Sequence, residues 1–246
     1  MSSDHGAILT QATTTDYWQS LHDTLPDRLS WQPPFRLAYP VRLPDGRALV
    51  LPLRPLPDGQ RAVASLIANQ ASFTVVNALA DHVTNLARTL DAEIIVGMPT
   101  LGLAFAPLVA ERLGHTRFVP LGYSRKYWYD DALSEPVLSI TSPGGGKRVY
   151  LDPNMLPLLR DRRICIVDDA VSTGSSLLAG YRLLSHIGFK ITGAAVPMKQ
   201  STRWQEPVAS ADPDLPPMLK AVFGSPLFQR TNDGWAPIDG TLPSVP

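Results

Sequence analysis

The run RRICIVDDAVSTGSS, Arg162 to Ser176, sets an apolar stretch against Asp168 and Asp169 and follows them, after Ala170 and Val171, with five small residues. Ile164 to Val167 form the short, unbroken apolar run of a strand buried on both faces, as in parallel sheets. The acids stand at its carboxyl end. Ser172-Thr173-Gly174-Ser175-Ser176 then turn the chain into a helix, because Leu177, Leu178, Tyr181, Leu184 and Ile187 recur at helical spacing as far as Gly188. Such a turn aims backbone N–H groups, hydroxyls and a helix N-terminus at one point, which suits a phosphate monoester. Gly174 lets the backbone approach it with no Cβ in the way. Two carboxylates would repel that phosphate, so the ligand must offer them hydroxyl donors or a divalent cation. A ribose 5-phosphate with free 2′ and 3′ hydroxyls meets both demands. The plain alternative is an acidic loop that caps a helix, and two acids beside five small residues at one junction weigh against it.

Working outward, strands and helices alternate. Behind Ser72 as N-cap, Val75, Val76, Leu79, Val83, Leu86 and Leu90 predict an amphipathic helix. EIIVG (Glu93 to Gly97) reads as a buried strand and AFAPLVAERLG as a helix, with Pro107 in its first turn and Gly114 just past its end. RFVPLGY, KRVYLD and ITGAAVPM supply further strands. This order implies right-handed βαβ units in an α/β fold, a central, mostly parallel sheet flanked by helices. Ligands of such sheets bind beyond the carboxyl ends of the strands. Phe35 to Pro55 predicts a hairpin about Pro44-Asp45-Gly46. From Tyr127 to Gly146 periodicity fails, and a loop so long inside a compact domain marks function or disorder. The domain plan is a loosely attached arm over 1–34, a core over 35–200 with a small hood at 35–55 and a lid at 127–147, and a C-terminal extension over 201–246. Trp204, Phe223, Phe228 and Trp235 give that extension too much aromatic surface for a solvated tail, so it is expected to pack on the core.

Composition narrows the function. The 246 residues carry 22 basic and 22 acidic side chains, so no net field draws the protein to nucleic acid or an anionic membrane. With 44% hydrophobic residues it can build a substantial core, yet no apolar run approaches the ~20 residues of a membrane span. The chain is expected to be cytoplasmic. The single cysteine, Cys165, excludes an internal disulfide and reads as a small buried hydrophobe rather than a nucleophile. The five histidines show no metal-ligand spacing. SPGGGKR is no P-loop, because Thr141 stands where glycine is required and Arg148 where a hydroxyl is. TGSSLL fails as a nucleophile elbow, its closing glycine falling at Leu178, and no GxGxxG follows a strand.

ICIVDDAVSTGSS resembles the PRPP-binding motif of type I phosphoribosyltransferases, where an apolar strand, paired acids, two apolar residues and a Thr-Gly-rich turn occur in that order; PRPP is 5-phosphoribosyl 1-pyrophosphate. The resemblance runs from about Phe73 to Met198. It implies transfer of a phosphoribosyl group from PRPP to a nitrogenous base with release of pyrophosphate, in nucleotide salvage or synthesis. Asp168 and Asp169 would hold the ribose hydroxyls, directly or through Mg²⁺. Ala170, Val171, Ser172, Thr173, Gly174, Ser175 and Ser176 would hold the 5′-phosphate. VGMPTLGLAFA occupies the position of the pyrophosphate loop, giving that role to Thr100, Leu101 and Gly102 and a cis peptide at Thr100-Leu101. YSRKYW is similar to the Arg-Lys pair of orotate and adenine members, which assigns Arg125 and Lys126 to pyrophosphate, Lys126 as catalytic. Lys147, or Arg148 beside it, would complete the clamp from the lid. Members acting on 6-oxopurines carry an Asp where this chain has Ser172, so an orotate- or adenine-like member is expected, as a homodimer with Mg²⁺ as cofactor. Two rival uses of the fold are a PRPP-sensing regulator and a non-catalytic interaction subunit. Zero net charge and no helix-turn-helix candidate before Phe35 weigh against a nucleic-acid-binding regulator, and an intact Asp168-Asp169-Gly174 constellation against a silent subunit.

Overall fold

The computed structural model describes residues 16–138 and 147–245. In chain order the elements are β1 (Ala38–Arg42), β2 (Ala48–Pro55), β3 (Arg61–Ala64), α1 (Phe73–Thr89), β4 (Ile94–Gly97), α2 (Ala106–Arg112), β5 (Val119–Pro120), β6 (Ser134–Pro136) and β7 (Arg148–Tyr150). They continue as α3 (Leu156–Leu159), β8 (Ile164–Val167), β9 (Ala170–Val171), α4 (Ser175–His186), β10 (Ile191–Gln200), α5 (Gln205–Ala211), α6 (Leu215–Met218), β11 (Leu219–Ser225), β12 (Leu227–Thr231) and β13 (Gly234–Pro237).

The centre is a parallel sheet in the order β11-β10-β8-β4-β5, with β9 extending the pairing along β10. All four residues of β8 are buried because both faces of the sheet are covered. Ile95, Cys165, Val167 and Ala195 pack with α1 and α2 on one side, and Ile94, Val96, Ile164, Ile166, Ala194 and Val196 pack with α4 on the other. From β4 the chain moves outward to β5, whereas from β8 it moves the opposite way to β10 and β11. The order therefore reverses between β4 and β8, and the crevice beyond their carboxyl ends is where an open α/β sheet takes its ligand.

A second sheet, antiparallel and ordered β1-β2-β3-β12-β13, forms the hood. Its first hairpin turns at Asp45 and Gly46 as the sequence predicts, and Gly46 takes the positive φ that such a turn requires. Segment 201–245 contributes β11 to the parallel sheet and β12 and β13 to the hood, where Phe228 packs edge-on against Phe35 and Tyr39. The sequence reading ends its strands at Met198 and expects a packed extension there, without these three strands.

Helix α1 begins as expected: the Ser72 hydroxyl accepts from the Val75 N–H at 3.2 Å. Gly114 and Gly188, each with positive φ, follow α2 and α4 at the positions predicted for their ends. Two expectations change. Residues 16–34 are anchored rather than loose, because Trp18 is buried, donates its indole N–H to the Ser65 carbonyl and accepts at its own carbonyl from Ser72 N–H. The irregular segment after Tyr127 also contains structure: Asp130 caps a short turn at Asp131–Leu133, and β6 pairs antiparallel with β7. Residues 1–15 of the arm and 139–146 of the expected lid lie outside the described residues.

Candidate active site

Two loops meet at the reversal point. The loop after β4 starts where the Met98 N–H donates to the Val167 carbonyl, which ties it to the end of β8. Gly102 then passes so close to the acids that a Cβ there would lie 2.8 Å from both Cα and Oδ1 of Asp168 and 2.9 Å from the Val167 carbonyl oxygen. Only glycine allows that approach. The structure thus brings Gly102, at the end of the Thr100-Leu101-Gly102 loop, against Asp168. The cis peptide falls one bond earlier than expected, at Pro99-Thr100.

Asp168 is 5% exposed, and its Oδ1 accepts from the Asp169 N–H at 2.9 Å. Burial, then the neighbouring Asp169 charge, holds the Asp168 carboxyl well above the usual carboxylate range, while Lys147 pulls it the other way. Asp169 is raised as well, chiefly by burial. Two like charges forced together in a low-dielectric crevice form a site that favours a cation or hydroxyl donors over empty space.

Ala170 and Val171 form β9, paired with Met198 and Lys199 of β10, and the Val171 side chain is buried in the core. The turn proper is Ser172 to Ser176. Gly174 takes φ +83° and serves as the N-cap of α4, with no side-chain cap bond. The first N–H groups of a helix have no intrahelical acceptors, so this end remains available to an anion. The contrast with α1, capped by Ser72, is direct. The Thr173 and Ser175 hydroxyls lie 3.1 Å apart at the mouth of the turn.

The basic residues divide. Lys147 lies within electrostatic reach of Asp168, with Nζ 3.6 Å from the Tyr123 ring centroid. Lys126 is exposed. The Arg125 guanidinium is turned to Asp131, donating at 2.6 and 3.2 Å, and is not at the acids. Arg148 is committed elsewhere, since it donates to the Ser134 hydroxyl and carbonyl across the β6–β7 pair.

Sequence reading missed a small network at Ser172. This hydroxyl donates to Gln200 Oε1 at 2.7 Å and accepts from Arg203 Nη2 at 2.8 Å, while Gln200 Nε2 donates to the Ala64 carbonyl of β3 at 2.7 Å. The phosphate turn is thereby bonded to the hood. One signal was present: Gln200 follows Met198 by two, the spacing that returns a strand residue to the same face.

Comparison with known proteins places the chain in a family. The phosphoribosyl transferase domain model matches residues 63–213. The chain is 30% identical over 138 residues to the adenine phosphoribosyltransferase of Novosphingobium aromaticivorans, covering 54% of this chain and 70% of that protein. It is 31% identical over 140 residues to that of Frankia alni, covering 56% and 68%. The solved adenine phosphoribosyltransferase of Rhodothermus marinus shares the fold, with a TM-score of 0.53 at 18% identity over 71% of this chain and 94% of that one. The chain belongs to the phosphoribosyl transferase family and has its chemistry, transfer of the 5-phosphoribosyl group from PRPP to a nitrogenous base with release of pyrophosphate.

Proposed function

We propose that the accepting base is an aminopurine, adenine first, and that PRPP lies across the crevice between the loops after β4 and β8. The 5′-phosphate occupies the Ser172–Ser176 turn at the start of α4, the ribose hydroxyls meet Asp168 and Asp169, and the pyrophosphate lies along Thr100, Leu101 and Gly102. The observation that supports this placement most is the approach of Gly102 to Asp168, which makes one crevice of the two loops. Lys147 adds positive charge from the side, and Lys126, which is exposed to solvent, adds a second cation to the pyrophosphate. Arg125 joins them by exchanging Asp131 for pyrophosphate, a small cost because an exposed ion pair contributes little.

Mg²⁺ fits the donor set. Asp168 and Asp169 offer hard oxygen ligands, and no group of three His, Cys, Asp or Glu side chains suited to a metal occurs among the described residues. That matches an ion held by one or two carboxylates and completed by substrate oxygens and water. When bound, it neutralises the departing pyrophosphate.

In the reaction a ring nitrogen of the base forms a bond to ribose C1, the C1–O bond to pyrophosphate breaks with its electron pair leaving on pyrophosphate, and the nitrogen proton passes to solvent. Asp168 and Asp169 orient the ribose and place negative potential beside the positive charge that develops at C1. The helix end and turn fix the other end of the sugar, so the reacting carbon is positioned before the base arrives.

The choice of base rests on Ser172 and on the relatives. Where an acid would accept a proton from a 6-oxopurine, this chain has a hydroxyl already bonded to Gln200 and Arg203. Chromatography of the nucleotide formed from PRPP and adenine, hypoxanthine, guanine or orotate tests the choice. Adenine is expected to turn over fastest, and a preference for hypoxanthine or guanine would overturn it.

A further inference from the structure

Beside the edge strand β11 lies a cavity of about 580 Å³ whose walls include Lys199, Trp204, Ala209, Pro216, Lys220 and Val245. Lys199 precedes Gln200 on β10, and strand alternation sends the two side chains to opposite faces. Gln200 reaches the hood through Ala64, whereas the Lys199 ammonium lies 5.1 Å from the Trp204 ring centroid. Lys199 is 4% exposed, and its Nζ donates to the Ser244 carbonyl at 3.3 Å, yet among the described residues no acidic side chain lines the cavity. A buried ammonium normally has a counter-charge, because desolvation without one is costly. Burial, then the nearby Lys220, pushes this ammonium down to about 8. The Trp204 indole N–H is likewise buried with no hydrogen-bond partner among the described residues. Besides Gln205 and Ser244, the rest of the lining is largely apolar, with the indole, Pro216, Pro217 and Leu219.

We propose that this cavity is a second ligand site, distinct from the PRPP crevice, which takes a small organic anion with its carboxylate or phosphate on Lys199 and Lys220 and a flat apolar body against Trp204 and the prolines. Two cations with no acidic side chain beside them among the described residues define the headgroup, and the indole and proline walls define the body. The site shares a wall with the phosphate turn, since Trp204 and Val208 pack against Gly174 on the side where a Cβ would stand.

Calorimetric titration of benzoate, phenyl phosphate and inorganic phosphate into the full chain, with ribose 5-phosphate at saturation to fill the turn, tests this. At least one organic probe is expected to bind more tightly than inorganic phosphate, and the tighter of the two identifies the headgroup. Lys199→Met should weaken that probe about tenfold or more, the usual loss when a charge-assisted bond is removed. Ala209→Leu puts bulk into the cavity from an exposed helical position that accepts leucine readily, and should weaken it too without touching either charge. A thermal melt confirms that both variants fold. Absence of binding by either organic probe at millimolar concentration, displacement of the probe by ribose 5-phosphate, or affinity unchanged in both variants would overturn the proposal.

Discussion

Asp168 carries its carboxylate beside that of Asp169 at the end of a buried strand, and the discomfort of that pair has a measurable sign. An ordinary carboxylate titrates near 4 in the unfolded chain, and burial together with Asp169 raises Asp168 above this in the native protein. Between those two values the folded state binds more protons, so stability falls as pH rises through the window and the full cost stands above it. Asp168→Asn keeps the shape and removes the charge. The variant is expected to be more stable than the parent at pH 7–8, seen as a higher Tm, with the gain shrinking towards pH 4. Its PRPP affinity should fall sharply over the same pH range. Melting curves at several pH values check this, and a variant less stable at pH 8 would contradict the account. Cys165 behaves in the opposite, inert way: it is fully buried, and burial pushes its thiol up to about 12. Its reaction with a thiol reagent should therefore be undetectable in the native protein and complete on unfolding, whereas prompt native labelling would mean that β8 opens. Both residues were legible in sequence, Cys165 from its apolar neighbours and the acids from their place after a strand. The roles of Gln200 and Arg203 were not, because the strand spacing that places Gln200 on a face names no partner and both bonds reach Ser172 28 and 31 residues away.

At the level of elements, the most readable parts were those with strong local signals. Ser72 and the periodic residues after it announce α1, and the run ICIV announces β8. Strands β12 and β13 were hidden because an antiparallel hood takes its register from β3 and from Phe35, which no local pattern reveals. Glycine substitutions separate the two loops of the crevice. Gly102→Ala would press a methyl group onto the Asp168 backbone and the Val167 carbonyl, which cannot move aside, so a loss of ~1–3 kcal/mol is expected together with loss of PRPP turnover. Gly174→Val meets two obstacles, a positive φ and Val208 Cγ2 at 3.1 Å. It should abolish ribose 5-phosphate binding while circular dichroism shows the sheet and helices retained. Normal binding of ribose 5-phosphate by that variant would place the phosphate elsewhere.

Across the whole molecule, the reversal of strand order between β4 and β8 turns separate sequence signals into one site. A loop ending at Gly102 and a turn beginning at Ser172 are 70 positions apart in sequence, yet the parallel register Gly97↔Val167 sets their roots side by side. The sequence reading reached this core because βαβ alternation is a local pattern with a global consequence. It did not reach the full hood, which draws strands from both sides of the core, nor the anchoring of residues 16–34 by Trp18. Zero net charge leaves anion binding to local arrangements, and among the described residues no helix is long and apolar enough to cross a membrane. The central claim is that the paired acids and the two loops together form the PRPP site. Calorimetric titration of PRPP with Mg²⁺ into the parent protein and into Asp168→Asn, Asp169→Asn and Gly102→Ala tests it most directly. The account predicts one PRPP per chain in the parent and at least tenfold weaker binding in each folded variant, and PRPP binding of parental strength in all three would contradict it.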